Sequence, residues 1–468
     1  MDLIPRPTSF RQHDGRLGLT DLTPPSGPAE IVELAVEVLG ARATGAFSID
    51  DSASDLGDEG YRLVITASGV RASARTLTGL RWAVATLRQL ADHEYPLVDI
   101  TDVPRFGWRG ALLDVARWCH PIDFVRRFVD AMSLHKLNTL HLHLTDDQGW
   151  RFEVQKYPLL TEVGSVRAAS GVGLSRTEFD GVPHGGFYTQ AQLRDLVAYA
   201  ARRGVRVMPE IDLPGHMQAA ISAYPELGND PSAHLPVRTT WGISSHILNC
   251  EPTTVAFVRD VLDEVVDVFP FELIHVGGDE VPPTEWRSSE SARALAASAG
   301  LPDVEHLVGW WTREMSRHLE QYGRRVAGWD EILDAGAPPG ATVFAWRDNS
   351  VVARALAAGH QVVAAPQEYF YLDWAESDQP GEPVAIPNGI TPLERVASYQ
   401  PSDVLGMQGQ LWSEYLPRPE LVGYRAFPRL AAIAEMGWTG GTDVDDFRSR
   451  FATHRRRLDA LGIAYRWI

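Results

Sequence analysis

"TQAQLRDLVAYAARRGVRVMPEID", residues 189–212, carries two hydrophobic periods in immediate succession. In its first part the apolar residues return at the spacing of one buried helix face. Thr189 and Gln192 stand at the separation of a capping box, and Gly204 stands where such a helix would close. The pattern then changes to "RVMPEID", a short apolar run that ends in the carboxylates Glu210 and Asp212, with His216 shortly after. A capped helix followed at once by a buried strand is the repeating unit of a parallel β/α fold.

The same rhythm extends in both directions. Strand-like runs recur as "GALLDVA", "TLHLHLT", "RVMPEID", "ELIHVGG", "RVAGWDE", "TVFAWR", "QVVAAP" and "VLGMQGQLW", with helical patterns such as "PIDFVRRFVDAMSLHK" between most of them. Eight strands between Gly110 and Trp412 predict an α/β fold, an eight-stranded (β/α)8 TIM-type barrel with some enlarged loops; a doubly wound open sheet is the competing arrangement. The strand ends decide between them. In order they carry Asp114 and Arg117; His141, His143, Asp146 and Asp147; Glu210, Asp212 and His216; then His275, Asp279 and Glu280. Trp329, Asp330 and Glu331 follow, then Trp346 and Arg347, Tyr371 and Asp373, and finally Trp412 and Glu414. Barrel enzymes build their sites from the C-terminal ends of several strands, and this register of polar and aromatic groups fits that habit.

Upstream of the barrel the chain reads as a small α/β unit. "YRLVITA" alternates like a strand, "SGVRASA" supplies a turn and a second strand, and "GLRWAVATLRQLA" places Leu80, Ala83, Val84, Leu87 and Leu90 on one helix face. Pro104 and two glycines in "ITDVPRFGWRG" mark the boundary. The expected division is an N-terminal α/β domain over 1–103 and a catalytic barrel over 104–468.

The 468 residues, 22% charged and 44% hydrophobic, belong to an ordinary globular chain long enough for more than one core. A net charge of −18 argues against a nucleic-acid partner, which would need clustered positive charge. Cys119 and Cys250 are the only cysteines, which excludes a cysteine metal cluster and makes two isolated structural thiols the expectation. The N-terminus "MDLIPRPTSFRQHDG" has no secretory pattern and no long apolar run follows, so the chain as written reads as cytoplasmic, without a membrane partner.

Carboxylates, tryptophans and an arginine at one rim describe a sugar site. Indole faces cover the C–H faces of a pyranose, and Arg, Asp and Glu bind hydroxyls by charge-assisted hydrogen bonds. Glycoside hydrolysis ordinarily sets two carboxylates on opposite sides of the bond, about 5–5.5 Å or about 6.5–9.5 Å apart. "HVGGDE", His275 to Glu280, instead sets Asp279 and Glu280 next to each other. On an extended backbone adjacent side chains leave on opposite sides, so one carboxyl can protonate the leaving oxygen while the other serves a nucleophile held elsewhere. In substrate-assisted hydrolysis the substrate's own 2-acetamido oxygen is that nucleophile.

"HVGGDE" resembles the His-X-Gly-Gly-Asp-Glu signature of the glycoside hydrolase family 20 β-N-acetylhexosaminidases. "LLDVARWCHP", "LNTLHLHLTDDQGWR", "VAGWDEIL", "YLD" and "LWSE" are similar to further family segments in order, and the first hundred residues resemble the family's N-terminal α/β domain. The resemblance implies Glu280 as general acid and then base, Asp279 as the residue that holds the acetamido N–H, and Tyr371 as the residue that aims the acetamido oxygen. It implies Trp329, Trp346 and Trp412 as walls of the acetamido pocket, and Arg117, Asp373 and Glu414 as holders of the sugar hydroxyls. Asp146 and His216 resemble the pair that tunes the acid, with Asp147 the alternative to Asp146, and His143 is counted with the substrate-binding residues. The implied reaction is retaining exo-hydrolysis of terminal β-linked N-acetylglucosamine or N-acetylgalactosamine, without cofactor or metal. The chain departs from the family after "YLD", where "WAESDQPGEPVAIPNGITPLERV" leaves two alternatives: Trp374 takes the leaving-group contact, or the site lacks it.

Two rivals are weighed against this. The His-X-His spacing of His141 and His143 suits a divalent ion at a strand end, but later strand ends offer Trp329, Trp346 and Trp412 where a metal hydrolase needs more ligands. An inactive sugar binder could keep the tryptophans and Arg117, yet would not need Asp279 and Glu280 together.

Overall fold

Eight parallel strands close into a barrel in the computed structural model of the chain, which describes residues 1–91, 94–387 and 389–467. In chain order they are Trp108–Asp114, Thr139–His143, Arg206–Leu213, Leu273–Gly277, Arg325–Trp329, Thr342–Ala345, Gln361–Ala364 and Gly406–Leu411. Each pairs with its sequence neighbour and the eighth returns to the first, so the eight-stranded barrel expected from the sequence is present and the open sheet is not. Because every ladder is parallel, all C-terminal strand ends share one rim.

The strands stop slightly earlier than the apolar runs suggest. The first ends at Asp114, whose Oδ1 accepts the backbone N–H groups of Ala116 and Arg117 at 2.8 and 3.1 Å and turns the chain out of the ladder. The helix Gln190–Arg202 begins with the expected capping box: Thr189 Oγ1 accepts from the Gln192 N–H at 3.1 Å, and Gln192 Oε1 accepts from the Thr189 N–H at 2.9 Å. Two crossovers are reduced. Among the described residues only Glu331–Asp334 is helical between the fifth and sixth strands, and only Gln367–Phe370 and Leu393–Ala397 between the seventh and eighth. The described residues between those two helices follow a mostly irregular course, and Trp374 and Ile386 among them reach the rim.

Inside the barrel, Trp108, Leu112, Met208, Leu273, Phe344 and Val363 form an apolar plug. Buried with them is a polar layer centred on Glu210, where His141, His143 and His275 converge. The larger hydrophobic core lies between the strands and the surrounding helices.

The N-terminal unit is a five-stranded sheet in the order Ser9–Gly18, Glu94–Asp102, Tyr61–Thr66, Gly69–Ala74, Ala46–Ile49, with helices Ala29–Leu39 and Leu77–Leu90. Leu80, Ala83, Val84, Leu87 and Leu90 are all buried, as their spacing predicts. Its joint with the barrel is polar and fully buried. Asp102 accepts hydrogen bonds from Tyr61 Oη at 2.7 Å and from the barrel's Lys136 Nζ and Trp438 Nε1, both at 2.6 Å. Cys119 and Cys250 are unbridged. Among the described residues no helix is long and apolar enough to cross a membrane.

Candidate active site

A cavity of about 330 Å³ opens at the C-terminal rim. Ten of the twelve residues singled out from the sequence line it: Arg117, Asp146, His216, Asp279, Glu280, Trp346, Tyr371, Asp373, Trp412 and Glu414. A larger hollow of about 530 Å³ lies at the opposite end of the barrel against the N-terminal unit, lined by Glu59, Arg81, Arg206 and Phe271, and it holds none of this set.

The fourth strand delivers the two adjacent carboxylates, though not by strand alternation. The strand ends at Gly277, and the chain then turns through positive φ at Gly277 (+64°), Gly278 (+97°) and Glu280 (+49°). A Cβ on Gly277 would lie 1.6 Å from Asp212 Oδ1, so glycine is required there both for conformation and for room. The turn separates the carboxyls: the Asp279 side chain is 13% exposed and Glu280 36%. His216 sits between them, its Nε2 3.8 Å from Asp279 Oδ2 and 3.5 Å from Glu280 Oε2, which are charge contacts rather than short hydrogen bonds. Among the described residues four non-glycine positions have positive φ, and His216 (+54°) and Glu280 are two of them. Each such position costs of order 1 kcal/mol or more, and strain of this kind gathers at functional sites.

Behind His216 runs a buried charge relay of fixed geometry. Its Nδ1 lies 3.2 Å from Asp146 Oδ1, and Asp146 Oδ2 meets Arg117 Nη2 at 2.8 Å and His143 Nε2 at 3.0 Å. Burial alone would raise Asp146, but the Arg117 and His216 charges and its hydrogen bonds hold it well below the usual carboxylate range. Burial would lower His216, yet Asp146 and its hydrogen bonds raise it well above an ordinary imidazole. Asp147 lies a little farther from the imidazole, its Oδ2 3.7 Å from His216 Nδ1, and it accepts the N–H groups of Gln218 and Ser244, both at 3.0 Å. The structure thus brings Asp146 rather than Asp147 closest to His216.

Asp279 is pushed up to about 6, first by burial and then by the charges of Glu280 and Glu210, with His216 opposing. Its Oδ1 is buried without a hydrogen-bond partner, as is Asp373 Oδ1 across the cavity. Two orphaned acceptors suit a ligand that brings N–H and O–H donors. The aromatic side of the cavity is built from Trp346, stacked on Tyr371 with ring planes 16° apart, and from Trp412, over which Arg117 lies at 5.3 Å. Arg117 also approaches Glu414 at 4.0 Å and Asp114 at 3.3 Å, so its position is fixed by three carboxylates and an indole.

Two residues differ from their expected placement. His143 does not line the cavity; it is fully buried beneath Trp412, with Nδ1 2.5 Å from Glu210 Oε2 and Nε2 on Asp146. Trp329 is 1% exposed, donates its indole N–H to Glu210 Oε1 at 2.8 Å and backs Trp412 from below. Both point inward from strand ends, where one residue of depth separates the lining from its support. His141, with the other half of the His-X-His spacing, lies inside the barrel with Nε2 3.1 Å from Glu210. His141 and His143 therefore converge on that carboxylate rather than on the cavity.

Further residues line the cavity beside these ten. Asp212 beside Asp279 was visible in "PEID" as a strand-end acid, and burial and the Asp279 charge raise it well above the normal range. Arg176, Gly242, Ile243 and Ile386 come from irregular segments with no periodic signal. Trp374 does line the cavity, 6.4 Å from Tyr371 in an edge contact.

Residues 106–441 match the family model for glycosyl hydrolase family 20, catalytic domain, and residues 1–103 match glycosyl hydrolase family 20, domain 2. A beta-hexosaminidase of Porphyromonas gingivalis is 36% identical over 99% of this chain, which spans 64% of that protein's length. A beta-hexosaminidase of Vibrio furnissii is 34% identical, with 93% of this chain and 76% of the relative covered. The crystal structure of a GH20 exo-beta-N-acetylglucosaminidase from Vibrio harveyi in complex with N-acetylglucosamine matches with a TM-score of 0.88 and 30% identity, covering 100% of this chain and 78% of the other.

Proposed function

This chain belongs to glycosyl hydrolase family 20 and is a glycoside hydrolase, and on that premise we propose that it is a retaining exo-β-N-acetylhexosaminidase that works by substrate assistance. The substrate would be a small molecule or oligosaccharide ending in β-linked N-acetylglucosamine or N-acetylgalactosamine. The observation that carries this reading is the divergence of Asp279 and Glu280 about His216, with the buried Asp279 oxygen left open for a donor.

In the first step Glu280 gives its proton to the glycosidic oxygen as the bond to the anomeric carbon breaks. The acetamido oxygen of the same sugar attacks that carbon from the opposite face, forming an oxazolinium ion. Asp279 accepts the acetamido N–H and balances the positive charge, and Tyr371 aims the acetamido oxygen. In the second step the Glu280 carboxylate takes a proton from water, which opens the ring and restores the β configuration. Two inversions give net retention. Asp146 and His216 act through Glu280: the imidazolium favours the carboxylate left after proton donation, while the Asp146 carboxylate, kept ionised by Arg117, keeps that imidazole charged. Arg117, Asp373 and Glu414 would bind hydroxyls, and Trp346 and Trp412, backed by Trp329, would enclose the acetamido group. The proposed division places this chemistry in 104–468, with 1–103 as the supporting α/β domain.

A thiazoline that mimics the oxazolinium should compete with a chromogenic N-acetyl-β-glucosaminide, whose turnover should survive chelator. Glu280→Gln should lose about 10²–10⁴-fold in rate on poor leaving groups and less on activated ones. Asp279→Asn should lose activity on both. A thiazoline that does not compete defeats the substrate-assisted reading.

A further inference from the structure

Trp346 is held by the two residues that follow the fifth strand, Asp330 and Glu331. Asp330 Oδ2 accepts the backbone N–H groups of Trp346 and Arg347 at 2.7 and 3.1 Å, and its other oxygen pairs with the Arg347 guanidinium. Glu331, the first residue of the short helix Glu331–Asp334, accepts the Trp346 indole N–H on Oε2 at 3.0 Å. One face of the indole is stacked on Tyr371, with ring centroids 5.9 Å apart. Trp346 is only half-buried, because it lines the cavity. Its tilt is held by that stack, by packing against the apolar plug inside the barrel and by the hydrogen bond at the indole edge.

We propose that Glu331 is a positioning residue that fixes the Trp346 wall and so sets which N-acyl groups the site accepts. The inference rests on the reading of Trp346 as a wall of the acyl pocket. Glu331 touches no substrate in this scheme; it acts only through the indole. A tilt of the ring about its stacking contact would widen or narrow the space beside Tyr371, where an acetamido methyl would lie and a longer acyl chain would not fit.

The charge state of Glu331 supports a clean test. It is half-buried among Asp279, Asp330 and Arg347, and it also lines a surface cleft with Glu305, His306 and Asp334. Burial first, then the charges of Asp279 and Asp330, push it up to about 8, against the Trp346 hydrogen bond and Arg347. At neutral pH the residue is therefore mostly uncharged, and glutamine, neutral and of the same shape, reproduces it with an acceptor oxygen in place. Alanine and methionine both remove the acceptor, and methionine keeps the length.

The experiment compares Glu331→Gln with Glu331→Ala and Glu331→Met in the full chain, on p-nitrophenyl β-glucosaminides carrying N-acetyl or N-butyryl groups. The glutamine variant should stay within threefold of wild type on the acetyl substrate and keep the acetyl-to-butyryl preference. The variants without an acceptor should raise KM for the acetyl substrate at least tenfold, with a smaller change in kcat, and lower the preference at least fivefold. A uniform loss in kcat with unchanged preference would mean a merely structural role and overturn the proposal, as would a glutamine variant as poor as alanine. A second readout does not need turnover: the ¹⁵N-labelled indole resonance of Trp346, assigned by its loss in Trp346→Phe. It should shift in the alanine or methionine variant and stay in the glutamine variant. If the wild type turns over neither substrate, the hexosaminidase reading fails, yet this resonance still decides whether Glu331 holds the indole; an unmoved signal in both acceptor-free variants overturns that.

Discussion

In the proposed mechanism Asp279 has to be ionised to balance an oxazolinium ion, and burial beside Glu280 and Glu210 pushes its carboxyl up to about 6. The sign follows directly. As pH falls through about 6 the residue takes up a proton, its charge is lost, and kcat/KM should drop by up to tenfold per pH unit, since that ratio reports the free enzyme's groups. A kcat/KM profile between pH 4 and 8 checks this; a flat profile down to pH 5 would contradict it. At this scale the sequence was informative about residue types and less so about depth. The motif "HVGGDE" and the acids, aromatics, arginine and histidine at or just beyond the other strand ends name ten residues that line the cavity, because a strand end at the barrel rim must face the cavity or its support. Which of those two it faces depends on a fraction of a turn that no spacing encodes, and so His143 and Trp329 lie beneath the cavity rather than in it. Adjacent carboxyls were expected to part because a strand alternates its sides; they part because Gly277, Gly278 and Glu280 leave the strand in a left-handed turn.

That turn makes the end of the fourth strand the element most sensitive to small changes. Gly277→Ala adds a Cβ that meets Asp212 Oδ1 at 1.6 Å, at a φ of +64° that alanine adopts poorly. The variant should lose thermal stability and nearly all turnover together, because Asp212 is fixed by its own strand and cannot retreat without moving Asp279. Thermal unfolding and kcat measured on the same preparation check it; wild-type values for both would show that the turn is not constrained as described. Elements with a buried face and a clear period, the eight barrel strands and the helix Gln190–Arg202, were legible without the structure. Ser9–Gly18 was not. It is an edge strand exposed over most of its length, so its sequence "SFRQHDGRLG" has no apolar alternation to read. The segments that bring Arg176, Ile243 and Ile386 to the cavity are irregular, and their course is set by tertiary contacts alone.

At the scale of the whole molecule, the N-terminal unit and the barrel are joined through Asp102, fully buried and held by Lys136, Trp438 and Tyr61. Burial raises this carboxyl, but the Lys136 charge and the hydrogen bonds from Lys136, Trp438 and Tyr61 outweigh it and leave the group below its ordinary value. Lys136→Met would strand a buried carboxylate, which costs about 3–5 kcal/mol when one partner of such a pair is removed. A denaturant titration should show the first unfolding transition at lower concentration, with the wild-type KM retained in its absence; an unchanged midpoint would mean the two units do not depend on this joint. The rim proposed as catalytic lies at the far end of the barrel from the N-terminal unit, which is why a stability defect at this joint should spare the chemistry.

Substrate assistance is the claim on which the rest turns, and it is open to one direct measurement. Along a series of chromogenic β-glucosaminides bearing N-acetyl, N-fluoroacetyl, N-difluoroacetyl and N-trifluoroacetyl groups, each fluorine withdraws electron density from the carbonyl oxygen while changing its size little. If that oxygen is the nucleophile, log(kcat/KM) falls steeply and steadily across the series. If an enzymic carboxylate or a metal-bound water attacks instead, the dependence is shallow or absent, and that result would contradict the mechanism.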